Sequence, residues 1–286
     1  MLRRTDNTID PIAVLRKLGL AEVGAIAPVT GGADTAIWRV ERADTTYALR
    51  VFRPEQASAC NREVIAMQTA AAGGIPVPVV HAKTLWHERP AVLLSWCPGR
   101  PILHYLLRTP WRAMAYGLTF GRMQAAIHRI AAPGSFTSGS WVDMIDPAET
   151  MLRSRLQQSD IRRDVLIHLD YHVLNVMADG CNITGVLDWT NARAGDPRAD
   201  LARSKTILRL DMGRPGLARL VSAPLEPLWL AFERGWWRGY GEIHPPGDNL
   251  PLFYAAAGSM MERDLAKRYT AQQLAHVRRW TQRWKL

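Results

Sequence analysis

The chain has 286 residues, 48% hydrophobic and 22% charged, a globular balance with enough apolar surface to offset chain entropy, which excludes a disordered chain. A formal net charge of +10 favours anionic partners and, on charge alone, admits nucleic acid. Three widely spaced cysteines (Cys60, Cys97 and Cys181) exclude a disulfide framework or zinc site, and no apolar run reaches membrane-span length. With no secretory h-region after the basic N-terminus, a soluble cytoplasmic protein is expected.

Taken in chain order, the pattern first predicts a short helix, with Asp10 as cap, Pro11 in the first turn and Gly19 at the stop. Three strands are expected around residues 25–30, 36–41 and 46–52, the second and third joined by the turn Arg42-Ala43-Asp44. Residues 56–72 read as a helix, with Val64, Met67, Gln68 and Ala71 at helical spacing and Gly73-Gly74 ending it. After an extended Ile75-Pro76-Val77-Pro78 come apolar runs at 79–86 and 91–96, the second nearly continuous as in a buried strand. Pro98-Gly99 breaks it. Helical patterns follow at 118–130, 147–158, 197–210, 225–240 and 271–284, interrupted by a hairpin over 175–189. A small antiparallel sheet with one helix, then a larger mainly helical half, is an α+β arrangement, divided here into residues 1–96 and 97–286.

The segment 165–201 carries the most chemistry. An apolar strand, Val165-Leu166-Ile167, leads to His168, Asp170 and Asn175, and a hairpin through Asp179-Gly180-Cys181-Asn182 returns to Asp188. A hairpin brings its ends together, so Asn175 and Asp188 are expected to be neighbours. Two oxygen ligands at one spot, with a carboxylate five residues upstream, suit magnesium, which takes few protein ligands and completes its octahedron with water and phosphate oxygens.

The run His168-Leu169-Asp170-Tyr171-His172-Val173-Leu174-Asn175, then Leu187-Asp188-Trp189, then Gly195-Asp196-Pro197-Arg198-Ala199-Asp200-Leu201-Ala202, resembles the aminoglycoside phosphotransferase family. It is more distantly similar to the catalytic and metal-binding motifs of protein kinases. The resemblance covers residues 24–205. It implies a bilobal protein-kinase-like fold, ATP (or GTP) and Mg2+, and phosphoryl transfer to a hydroxyl of a small molecule. It further implies that Gly31 and Gly32 cover the nucleotide phosphates and that Arg50, where protein kinases use Lys, grips them while paired with Glu63. The backbone of Ser95 and Cys97 would meet adenine. Asp170 would address the acceptor hydroxyl, and Asn175 and Asp188 would hold the metal. His168 and Asp200 are expected to brace the loop, Asp196 to cap the following helix, and His172 to be an ordinary polar loop residue. The chain departs from the family at Leu169, where Gly is common, and at Val173-Leu174, where Pro-Gly is common.

Other readings stay open on sequence. Arg50 and the altered loop admit a nucleotide-binding pseudokinase with a regulatory role. Arg278, Arg279, Arg283 and Lys285 beside Trp280 and Trp284 read as the solvated face of a terminal helix, or as a basic surface for nucleic acid or membrane. A metal-dependent hydrolase built on Asp170 and Asp188 lacks paired histidines. Between Glu226 and Asp264 six acids stand against three arginines, which admits a cationic acceptor, whereas the whole-chain charge favours the opposite sign. Trp229, Phe232, Trp236, Trp237 and Tyr240 in that stretch are expected mainly in the core. The expected partner is a small-molecule alcohol, without nucleic acid or membrane, acting on a monomer or homodimer.

Overall fold

The computed structural model describes residues 9–29, 35–137, 139–210, 225–266 and 269–285. The first half opens with α1 (Pro11–Lys17), whose N-cap Asp10 accepts from the Ile12 N–H at 2.9 Å. Strands β1 (Ile26–Pro28), β2 (Ala36–Arg42) and β3 (Thr45–Val51) follow, then α2 (Ala57–Ala72), β4 (Val80–Trp86) and β5 (Arg89–Ser95). The five strands form one antiparallel sheet in the order β1-β2-β3-β5-β4. One face packs Trp38, Val40, Leu49, Val51 and Leu93 with Val14 and Leu15 of α1. The other turns Val92 and Leu94 toward Cys60, Met67 and Ala70 of α2. β5 is therefore buried on both faces, which is why its sequence is a continuous apolar run and not an alternating one.

The second half contains β6 (Arg100–Pro101), α3 (Ile102–Arg108), α4 (Ala113–Ile127), α5 (Thr150–Gln158), β7 (Val165–Ile167), β8 (Val176–Asp179), β9 (Asn182–Val186) and β10 (Arg193–Gly195). It continues through α6 (Pro197–Leu210), α7 (Glu226–Gly241), α8 (Leu250–Leu265) and α9 (Ala271–Lys285). β8 and β9 form the expected hairpin, and β7 pairs with β10, so Ile167 lies opposite Arg193.

Helices α4 and α7 cross with their backbones in contact. A Cβ on Gly117 would stand 2.0 Å from the Phe232 carbonyl, and one on Gly121 2.1 Å from that of Trp236. From the other side, Gly235 and Gly239 face the carbonyls of Met114 and Leu118 at 2.1 Å each. Glycines four apart on both helices thus remove the side chains that would hold them apart. Phe120, Phe232 and Trp236 fill the flanks of the crossing.

The sequence pattern misses α3 and α8 and places the starts of α4 and α5 some residues away. The reason is clearest for α8. Every residue from Leu252 to Met261 is buried, so the helix has no polar stripe and no 3.6-residue alternation to detect. The terminal α9 lays Trp280 and Trp284 against Tyr254, with ring centroids 6.2 and 4.9 Å away. Two of its basic residues are paired, Arg278 with Glu262 and Lys285 with Glu149. No helix among the described residues is long and apolar enough to cross a membrane.

Candidate active site

Arg50 sits mid-strand on β3, its register partners Ile37 and Val92. Its Nη1 donates to Glu63 Oε1 at 2.5 Å, its Nε to Thr35 Oγ1 at 3.0 Å and its Nη2 to Asp188 Oδ1 at 3.2 Å. The guanidinium also lies over the Phe52 ring, 4.8 Å from its centroid. One strand cation therefore joins α2 to the end of the β8–β9 hairpin, and the expected Arg50–Glu63 pair is present. Carboxylates on two sides keep Arg50 charged despite its burial, raising its pKa above the usual arginine value. Gly31 and Gly32 lie outside the described residues.

Burial lifts the Glu63 carboxyl to about 7; Arg50 opposes the shift, Asp188 reinforces it, and the Trp189 N–H opposes it again. A carboxyl raised on folding contributes stability fully present below its unfolded value near 4 and lost as pH rises through about 7. Wild type should therefore gain more in melting temperature than Glu63→Gln when pH is lowered from 8 to 5. Parallel pH–melting curves for the two proteins would remove Glu63 as the titrating group.

The β8–β9 hairpin closes the other side. The Leu187 N–H bonds the Asn175 carbonyl at 2.8 Å, which places Asn175 and Asp188 at adjoining ends as the hairpin argument requires. Asn175 Nδ2 donates to the Asp170 carbonyl at 3.0 Å and to Asp170 Oδ2 at 3.1 Å. That orientation spends the amide nitrogen and turns Oδ1 to other uses. Asp188 Oδ1 accepts from Arg50 and, at 2.7 Å, from Thr190 Oγ1, leaving Oδ2. An amide oxygen and a carboxylate oxygen form a hard donor pair that fits magnesium, with room for water and phosphate oxygens.

The loop between β7 and β8 is braced from below. His168 is buried, its Nε2 bonded to the Leu187 carbonyl at 3.0 Å while Nδ1 accepts the Asp170 N–H at 3.2 Å. Burial lowers the His168 pKa against the pull of Asp200, Asp170 and Asp188. A neutral imidazole with its proton on Nε2 satisfies both bonds, which makes His168 a strut. Leu169 has φ of +62°, in the left-handed region that glycine enters freely and that costs other residues roughly 1–2 kcal/mol. Its N–H is held by buried Asp200 Oδ1 at 2.5 Å. Behind Asp200 stand His128 (2.9 Å) and Gln124 (3.2 Å), and His128 reaches the Tyr240 hydroxyl at 2.9 Å. Asp196 caps α6 through the Arg198 N–H at 2.9 Å.

Asp170 thus presents its carboxylate beside Asn175, half-buried, with His172 Nε2 3.7 Å from Oδ2. Burial alone would raise its pKa; the nearby His172, then the charges of Arg203 and His168, outweigh it and hold the carboxyl at about 2. His172, expected to be an ordinary polar loop residue, instead faces the central carboxylate.

At the edge of the sheet the expectation for Ser95 is corrected in part. Its N–H donates to the Val79 carbonyl at 2.9 Å and its Oγ accepts the Val79 N–H at 2.8 Å, because β5 is still paired there. Ser95 has no N–H to offer a purine. Cys97 is buried, its Sγ against Gly185, where a Cβ would stand 2.4 Å away.

Sequence reasoning missed two residues that the structure brings to the turn after Asp188. Thr190 bonds Asp188, and Arg62 Nε donates to the Thr190 carbonyl at 2.9 Å. No motif distinguishes Arg62 from a surface arginine; only the docking of α2 on this turn reveals it. The acidic stretch 226–264 also reads differently in three dimensions. Glu226 and Glu233 pair with Arg209, Glu242 with Arg122, Glu262 with Arg278, and Asp264 with Arg203 and Arg263. Those five carboxylates are already neutralised.

The model of a family described as the phosphotransferase enzyme family matches residues 25–160 and 140–240. A probable ketoamine kinase of Thermus thermophilus is 28% identical over 132 residues, 44% of this chain and 42% of its own length, so the match spans less than half of that relative. Among solved structures, a thermostable mutant of the aminoglycoside phosphotransferase APH(4)-Ia in ternary complex with AMP-PNP and hygromycin B superposes with a TM-score of 0.67. It is 19% identical, over 95% of this chain and 96% of that one. The macrolide 2'-phosphotransferase MphH of Brachybacterium faecium, also 19% identical, gives a TM-score of 0.56 over 93% and 96%. At such identity the likeness shows the fold, a sheet-bearing first half and a helical second half as in kinase-like phosphotransferases.

Proposed function

Since the chain belongs to the phosphotransferase enzyme family, we propose that it is a kinase that moves the γ-phosphoryl group of ATP (or GTP) to a hydroxyl of a small molecule. The observation that carries the reading is the convergence of four side chains from separate elements on one point. Arg50 from β3, Asp188 after β9, Asn175 before β8 and Asp170 after β7 are joined through Asp188–Arg50, Leu187–Asn175 and Asn175–Asp170 bonds. Phosphoryl transfer needs such positioning and charge neutralisation more than covalent chemistry.

In this reading residues 1–96 hold the nucleotide and residues 97–286 supply the catalytic loop and the acceptor's surroundings. Arg50, fixed by Glu63, grips the non-transferred phosphates, Gly31 and Gly32 cover them, and Cys97 contributes its N–H to the purine. Asn175 and Asp188 would hold Mg2+, which when bound neutralises phosphate charge. Asp170, ionised far below neutral pH, accepts the hydrogen bond of the acceptor hydroxyl and aims its oxygen at phosphorus. The carboxylate is too weak a base to remove that proton early, so it takes the proton as the new P–O bond forms.

The test is magnesium-dependent ADP and GDP release across aminoglycosides, macrolides, amino alcohols, homoserine and sugars, with Asp170→Ala beside the wild type. Turnover that vanishes in the variant supports the kinase. Absence of nucleotide binding would sink it. Nucleotide binding without turnover favours the second reading, a pseudokinase, for which Arg50 in place of lysine is the specific observation.

A further inference from the structure

Two guanidiniums reach the same short turn from opposite halves of the molecule. Arg62, on α2, donates through Nε to the Thr190 carbonyl at 2.9 Å. Arg193, at the start of β10, donates through Nη1 to the carbonyls of Asn191 at 3.2 Å and Ala192 at 2.8 Å. Three successive carbonyls thus accept from two cations on one turn, both half-buried. Neither has a carboxylate at ion-pair distance among the described residues. Burial, and then the charges of Arg62 and Arg263, push the Arg193 pKa down to about 10. Asp143 opposes the shift, but it is committed to Arg153 at 3.3 Å and to the Ser140 N–H at 2.9 Å. Arg263 in turn is spent on Asp264 and the Met144 carbonyl.

The position is as telling as the charge. The turn begins one residue after Asp188, and Arg193 lies across from Ile167, three residues before Asp170. Two uncompensated, partly desolvated guanidiniums with unused N–H groups match a planar or tetrahedral oxyanion. Lysine-free fork geometry of this kind suits bidentate contacts.

We propose that Arg62 and Arg193 form an oxyanion site for a phosphate or carboxylate group, and that the acceptor alcohol carries that group. The second clause rests on the kinase reading; the first does not.

Inorganic phosphate is the probe, titrated calorimetrically at constant ionic strength into wild type, Arg62→Met, Arg193→Met and, as control, the exposed Arg234→Met. The Kd should rise about tenfold or more in the first two variants, the worth of one charge-assisted bond, and hold in the third. An unchanged Kd in Arg193→Met, or an equal loss in Arg234→Met, overturns the site. Should Arg193→Met fold poorly, Arg193→Lys keeps the charge and Arg62→Met reads the site alone. For the source of the anion, acidic alcohols and their neutral amides are compared as acceptors. A lower KM for the acids that disappears in Arg193→Met at constant kcat, with phosphate competing against the acceptor, assigns the anion to the acceptor. Phosphate bound at Arg193 without competing overturns that assignment. Failure of every acceptor sinks the kinase reading and leaves the phosphate result standing.

Discussion

Asparagine at Asp170 is expected to lower kcat by about 10²- to 10⁴-fold, the range of a positioned acid–base group, with little change in nucleotide affinity. The substitution keeps the shape of the side chain and its contact with Asn175, so the loop should hold. In the proposed mechanism it removes the charge that orients the acceptor hydroxyl and the site that receives its proton. Of the residues proposed to hold nucleotide and metal, Arg50, Glu63, Asn175 and Asp188, only Asn175 touches the Asp170 carboxylate, and an asparagine that turns its Oδ1 to the Asn175 amide keeps that bond. The carboxyl is depressed to about 2, so its contribution to stability is present above its unfolded value near 4 and is lost as pH falls through about 2. Wild type should accordingly lead Asp170→Asn in melting temperature at pH 7, and the two should converge toward pH 2. In the pH–rate profile, no acid limb above pH 5 should belong to Asp170. A kcat within threefold of wild type, at saturating nucleotide and acceptor, would remove Asp170 from the chemistry.

Alanine at Gly121 is expected to cost about 3 kcal/mol or more, at the top of the range for overpacking a tight interior. The added Cβ would stand 2.1 Å from the Trp236 carbonyl and 2.7 Å from the Tyr240 nitrogen. Both are backbone atoms in a helix, with no rotamer to yield, so α4 and α7 would have to separate. Separation also disturbs the Gln124–Trp236 bond at 2.9 Å and the His128–Tyr240 contact, and both lead to Asp200 and the loop it holds at Leu169. The melting temperature should fall by roughly 10 °C at this chain length. Gly241→Ala is the matched control, since a Cβ there meets nothing within 4 Å. If the two variants melt together, the glycines are not what sets the crossing.

Much of the site is legible in the sequence because its parts are close in the chain. His168, Asp170, Asn175 and Asp188 span a single strand–loop–hairpin unit, and hairpin geometry alone brings its ends together. Arg50 and Glu63 are thirteen residues apart, and the strand and helix that carry them show clear periodicity. The Asp200 brace follows from the position of its motif. The glycine normally found at 169 has its explanation in the left-handed φ of Leu169.

What the residues determined by themselves was local: the strand-rich first half, the amphipathic helices, the hairpin and the order of the ionisable groups along it. Short-range periodicity and turn chemistry decide these, and both are written in consecutive residues. What only the tertiary structure decided depends on packing between distant segments. α8 is buried all round and carries no stripe. The glycines of α4 and α7 have a meaning only once the two helices cross. Five of the six acids of 226–264 look free until Arg122, Arg203, Arg209 and Arg278 fold against them. Arg62 and Arg193 lie 131 positions apart in the chain. They reach the same turn because α2 docks on it after Asp188, and convergence of that kind follows from the fold and not from spacing.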